Sequence, residues 1–150
     1  MLSLQEISDR LEIQELLVRY SHSVDTRDWD AFEKVFTPDA TIDYTEFGGP
    51  RGDVASTRAF LETTMPRFAS FQHLITNVVV EIDGDEARAR TGCINPMVVE
   101  RPDGEQHVFF CGLWYRDRLQ RTPDGWRIAD RYEERSYMFN APPEVLADAS

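Results

Sequence analysis

His73, Asp25, Tyr20 and Tyr44 are the residues whose types suit proton transfer between carbon and oxygen. An imidazole oriented by a carboxylate is a general base, because the carboxylate fixes its tautomer and stabilises the imidazolium that forms. His73 lies in "FQHLITNVVVEI", where Phe71, His73 and Ile75 fall on one face of an extended segment. Such a histidine is either a buried neutral ring satisfied by a backbone carbonyl or a working base, and a nearby aspartate favours the second. Asp25 is the candidate. It closes the helical stretch "LVRYSHSVD" one residue past Val24, where a carboxylate works against the helix dipole. A simple turn-forming aspartate is the alternative. Tyr20 lies on the same apolar stripe, and Tyr44 ends a short strand. Each phenol either packs in the core or points into a pocket, where it can polarise a carbonyl or donate to a leaving group. His22 reads as solvent-facing, and Asp28 as a helix N-cap.

Strand phase suggests further contacts. Thr91, Cys93, Asn95 and Met97 share one face, as do Phe109, Cys111, Leu113 and Tyr115, and as do Arg127, Ala129, Arg131 and Glu133. Asn95 and Arg131 are the candidate substrate contacts. An inward Arg131 would meet an anion or leaving group, whereas an outward one would only balance acidic surface. Two cysteines make no disulfide framework, and three histidines in no ligand spacing predict no metal site. The absence of a glycine-rich phosphate loop fits cofactor-independent chemistry.

The positioning elements follow from periodicity. "SLQE" is a capping box, and Ile7, Leu11, Ile13, Leu16, Leu17, Tyr20 and Val24 recur at helical spacing, predicting a helix over about 4–25. Asp28 caps a second helix with Trp29, Phe32, Val35 and Phe36 as its stripe. "ATIDYTEF" (40–47) alternates as a strand, and Asp53 caps a third helix over about 54–65. Four long strand-like runs then follow, punctuated at "DG" turns, as an antiparallel meander. Helices first and sheet second predict an α+β fold, with the helices on one face of a curved sheet that wraps a cone with an apolar interior.

With 150 residues, 41% hydrophobic and 29% charged, the chain reads as one folded domain over 1–150, its core about 4–138 and a loose C-terminal tail over 140–150. The net charge of −11 argues against nucleic acid and anionic membranes as partners. No apolar run approaches the roughly 20 residues of a membrane helix, and the N-terminus lacks the pattern of a secretory signal, so a cytoplasmic protein is expected.

"IQELLVRYSHSVDTRDWDAFEKVFTPDATIDY", "HLITNVVVEIDGDEARAR" and "LWYRDRL…DGWRI" together resemble the SnoaL-like branch of the nuclear transport factor 2-like superfamily, over about residues 4–138. The resemblance implies a cone-shaped α+β barrel, a curved mixed or antiparallel sheet enclosed by three N-terminal helices, often as a homodimer or homotrimer. Scytalone dehydratase, bile acid 7α-dehydratase and hexachlorocyclohexane dehydrochlorinase of this branch imply roles for Asp25 and His73. The first also matches Tyr44, the second Tyr20 and the third Arg131, while the first's second histidine falls near Met97 and the third's lysine at Tyr20. These enzymes remove HX from adjacent carbons. The expected function is therefore a cofactor-independent, dehydratase-like lyase acting on a small hydrophobic cyclic or polyketide-like substrate. An isomerase or cyclase, or a non-catalytic binding or assembly module on the same scaffold, are the alternatives.

Overall fold

Ser3 starts the first helix: its hydroxyl accepts from the Glu6 N–H at 3.2 Å, and the Glu6 carboxylate accepts from the Ser3 N–H at 2.8 Å. The computed structural model describes residues 1–148, with side chains through Leu146. Helix α1 (Leu4–Thr26) ends where Arg27 turns left-handed at φ 58°. Ile13, Leu16, Leu17, Tyr20 and Val24 are buried along it as expected, but Ile7 and Leu11 are exposed. At about 100° per residue they fall opposite Ile13, on an outer stripe with Leu4 and Val18. The inward position in the first turns belongs instead to Asp9, which receives two N–H groups of Arg121 and the Trp126 indole N–H. Periodicity alone could not say which of two apolar stripes the sheet would cover.

Helix α2 (Trp29–Glu33) is capped by Asp28 and is shorter than its apolar stripe suggests. Phe36 already belongs to strand β1 (Phe36–Asp43), because it pairs in parallel with Ile128 on the distant segment Gly125–Phe139. Long-range pairing thus pulls β1 four residues earlier than alternation alone places it. A short β2 (Arg51–Gly52) and the Asp53-capped helix α3 (Val54–Thr64) follow.

The second half is the predicted meander. Strands β3 (Ser70–Phe71), β4 (Leu74–Asp83), β5 (Glu86–Glu100), β6 (Gln106–Thr122) and β7 (Gly125–Phe139) pair antiparallel. The sheet runs β2-β1-β7-β6-β5-β3, with β4 also on β5. It is a curved, unclosed mixed sheet of seven strands, with four helices among the described residues. Asp83-Gly84 makes the first hairpin turn, with Gly84 at φ +62°, a backbone angle that side chains strain to adopt.

The expected inward sets on β5 and β6 face the concave side, where Cys93, Phe109, Leu113, Tyr115 and Ile128 meet α1 in one core. On β7 a bulge between Ile128 and Asp130 changes the phase, so Ala129, Arg131 and Glu133 are inward as expected, while ahead of it Trp126 and Ile128 take the inward positions and Arg127 does not. The segment expected as a loose tail forms a short helix over Pro143–Asp148, α4, whose Val145 packs against the core; residues 149–150 lie outside the described residues. No helix among the described residues is long and apolar enough to cross a membrane.

Candidate functional site

A break in the sheet creates the central contact. Between β3 and β4 the chain leaves both ladders, and the His73 backbone N–H donates to Asp25 Oδ2 at 2.9 Å. The other Asp25 oxygen lies 2.6 Å from His73 Nδ1. One carboxylate from the last turn of α1 therefore grips both the backbone and the ring of His73. On the far side of the ring, Asn95 Nδ2 on β5 lies 3.1 Å from Nε2. With Asn95 donating there, Nε2 is the acceptor and Nδ1–H points at Asp25, the tautomer a base requires.

His73 and Asn95 open onto a cavity of about 490 Å³ inside the cone, with Phe60, Phe68, Met97 and Phe109 among its apolar walls. Its size is that of an ordinary small-molecule site. Asp25 stands behind His73 rather than on the wall. Tyr20 and Tyr44 are on the wall, and their hydroxyls lie 2.5 Å apart. Burial pushes the Tyr20 phenol up to about 12 and Tyr44 well above its ordinary value, so both keep their protons at neutral pH. Gly49 lets the loop fold close over Tyr44: a methyl there would sit 2.6 Å from Tyr44 Cβ.

Arg131 points inward but does not reach the cavity. It is 1% exposed, and Asp117 accepts from both Nε and Nη2 at 2.7 Å. Its guanidinium carbon sits 4.0 Å from the centroids of both the Tyr20 and the Tyr115 ring. Burial opposes its charge, yet the adjoining Asp117 carboxylate holds its pKa well above the ordinary arginine value. The expected anion contact is thus occupied by Asp117, and Arg131 serves as the back support of Tyr20. His22 is exposed, as expected.

Two residues of this layer were not singled out in the sequence. Asp117 follows Phe109, Cys111, Leu113 and Tyr115 in phase, so alternation alone marks it as an inward carboxylate in need of a cation. Glu133 shares the inward face of β7 with Arg131, lines the cavity and is 9% exposed. Burial pushes the Cys93 and Cys111 thiols up to about 12, which leaves them protonated and unsuited to nucleophilic attack. Among the described residues no group of three or more His, Cys, Asp or Glu could hold a metal ion.

A curved sheet enclosing an apolar cavity, with helices on its concave side, defines the class of fold. The chain belongs to the SnoaL-like domain family, whose model matches residues 5–132. It is 48% identical over 137 residues to the uncharacterised protein Rv2910c of Mycobacterium tuberculosis, covering 91% of this chain and 92% of the relative. A Kribbella flavida protein superposes with a TM-score of 0.81 at 27% identity, covering 95% of this chain and 98% of that one. The type 3 hexachlorocyclohexane dehydrochlorinase of Novosphingobium barchaimii superposes with a TM-score of 0.78 at 16% identity, covering 93% and 94%, a likeness of fold.

Proposed function

We propose that this chain is a cofactor-independent lyase that removes a C–H proton next to a carbonyl in a small hydrophobic cyclic or polyketide-like substrate and expels a group from the neighbouring carbon. The observation that carries this is the 2.6 Å contact between Asp25 and His73 Nδ1, with His73 itself on the cavity wall. Nε2 takes the proton in place of the hydrogen bond it accepts from Asn95 Nδ2, and Asp25 holds the ring and balances the imidazolium. Asn95 lines the same cavity, and its amide nitrogen meets His73 Nε2, so it helps to hold the ring on the cavity wall. The linked Tyr20 and Tyr44 hydroxyls suit the carbonyl oxygen, which gains charge as the proton leaves. Arg131 acts through the Tyr20 ring. The dehydrochlorinase with the same fold performs an elimination by its name, which agrees with this class of reaction.

The same base serves an isomerase that returns the proton elsewhere. Mass spectrometry of cyclic hydroxy ketones incubated with the protein separates the two: a lyase product is lighter by one water, an isomerase product is not. Unchanged substrate across a panel that fits the cavity would sink both.

Removing one phenol has a defined effect. In Tyr44→Phe the enolate-like oxygen loses a donor, and kcat/KM falls by about 10²-fold, while circular dichroism stays that of the wild type. A variant with full activity would remove Tyr44 from the mechanism.

We also propose that the protein assembles as a homodimer or homotrimer in the cytoplasm. Leu74, Ile94 and Tyr137 leave apolar area exposed across neighbouring strands of the outer sheet face, and burial of that area would drive association. Light scattering at micromolar concentration should give a mass of two or three times 17.3 kDa; a monomer at all concentrations would contradict it.

A further inference from the structure

Glu133 has no evident structural task. It projects from β7 opposite Tyr115 of β6, lines the cavity and is 9% exposed. Among the described residues no hydrogen bond or ion pair to its carboxyl is found. The neighbouring Arg131 is already bound through two N–H groups to Asp117. A buried carboxyl that neither pairs nor caps anything costs stability, so its retention on a cavity wall calls for a chemical reason. The other glutamates on that wall, Glu100 and Glu144, are exposed.

The elimination proposed above leaves one proton unaccounted for. His73 ends the step protonated, and hydroxide does not depart unaided. Tyr20 and Tyr44 are bonded to each other and are assigned to the carbonyl oxygen. We propose that Glu133 is the acid that protonates the departing oxygen, so that the substrates are cyclic β-hydroxy ketones. The inference rests on the His73 base of the preceding section. In the full step, the α-C–H bond breaks and its proton goes to His73 Nε2. Its electron pair passes into an enolate whose oxygen Tyr20 and Tyr44 hold; the carbonyl then re-forms, the enolate electrons make the C=C bond as the β-C–O bond breaks, and the leaving oxygen takes the Glu133 proton and departs as water. His73 then returns its proton through solvent and Glu133 regains one.

Burial pushes the Glu133 carboxyl up to about 8, against the opposing pull of Arg131 and with a small push from Glu46, so that it is protonated at neutral pH. The other ionisable groups that act on it are the phenols of Tyr20, Tyr44 and Tyr115 and the thiols of Cys93 and Cys111, all held neutral by burial.

The test compares wild type and Glu133→Gln on 3-hydroxycyclohexanone and 3-acetoxycyclohexanone, both yielding cyclohexenone. Hydroxide needs a proton to leave and acetate does not. In the variant, elimination of water falls about 100-fold, while elimination of acetate, and deuterium exchange at the α-carbon in D₂O, stay within about threefold. The wild-type rate on the hydroxy ketone declines above about pH 8, and the variant lacks that decline. Equal losses on both substrates, or no loss on either, overturn the assignment while leaving the base intact. A wild type that neither exchanges the α-hydrogen nor eliminates from either ketone overturns the base, and the acid with it.

Discussion

In His73→Asn, α-hydrogen exchange and elimination fall by about 10³-fold, with the fold retained. Asparagine keeps the backbone N–H that donates to Asp25 Oδ2, so the joint between β3 and β4 stays tied to α1. What disappears is the ring nitrogen that faces the cavity. Asp25→Asn attacks the same unit from behind. The amide has no charge to balance an imidazolium and no longer demands Nδ1–H, so the ring is free to take the wrong tautomer. Its loss is about 10²-fold or more. The double variant should be little worse than His73→Asn alone, because the pair acts as a unit. Steady-state rates on cyclic ketones check all three. Additive losses would mean that Asp25 and His73 work separately.

The second large effect is on stability. Asp117→Asn leaves the Arg131 guanidinium buried without its counter-charge, and breaking such a pair costs about 3–5 kcal/mol. For a chain of 150 residues that lowers Tm by about 10 °C. Activity should fall as well, since the Tyr20 ring rests on Arg131. Replacing both partners, as in Asp117→Leu with Arg131→Met, removes the stranded charge and should recover most of the Tm. It does not restore the ring's support, so kcat stays low. Thermal melts of the three variants decide the point: an Asp117→Asn protein melting within about 2 °C of wild type would show that the pair carries no such weight.

Much of this arrangement is legible in the sequence because it depends on local signals. The Ser3–Glu6 capping box, the Asp28 and Asp53 N-caps, the "DG" turns and the alternation in the last four strands specify the helices and the meander, and strand phase places Asn95, Arg131 and Glu133 on the inner face. Resemblance to the SnoaL-like branch joins Asp25 to His73, which spacing could not do across 48 residues. Where the sequence falls short, the deciding force is long-range. Phe36 enters β1 because β7 pairs with it, Ile7 and Leu11 turn outward because Asp9 takes the inward position, and the tail becomes helical where Val145 finds the core. Arg131 shows the limit most clearly. Its inward direction follows from phase, but its partner Asp117 lies on another strand, and only the β6–β7 register brings the two together.

The central claim is that His73 removes a carbon-bound proton inside this cavity. Proton NMR of 3-hydroxycyclohexanone in D₂O measures this directly, without requiring the leaving group to depart. Wild type should replace the hydrogens beside the carbonyl with deuterium, and His73→Asn should not exceed the rate of buffer alone. Exchange by His73→Asn at the wild-type rate, or none by the wild type, would contradict the account.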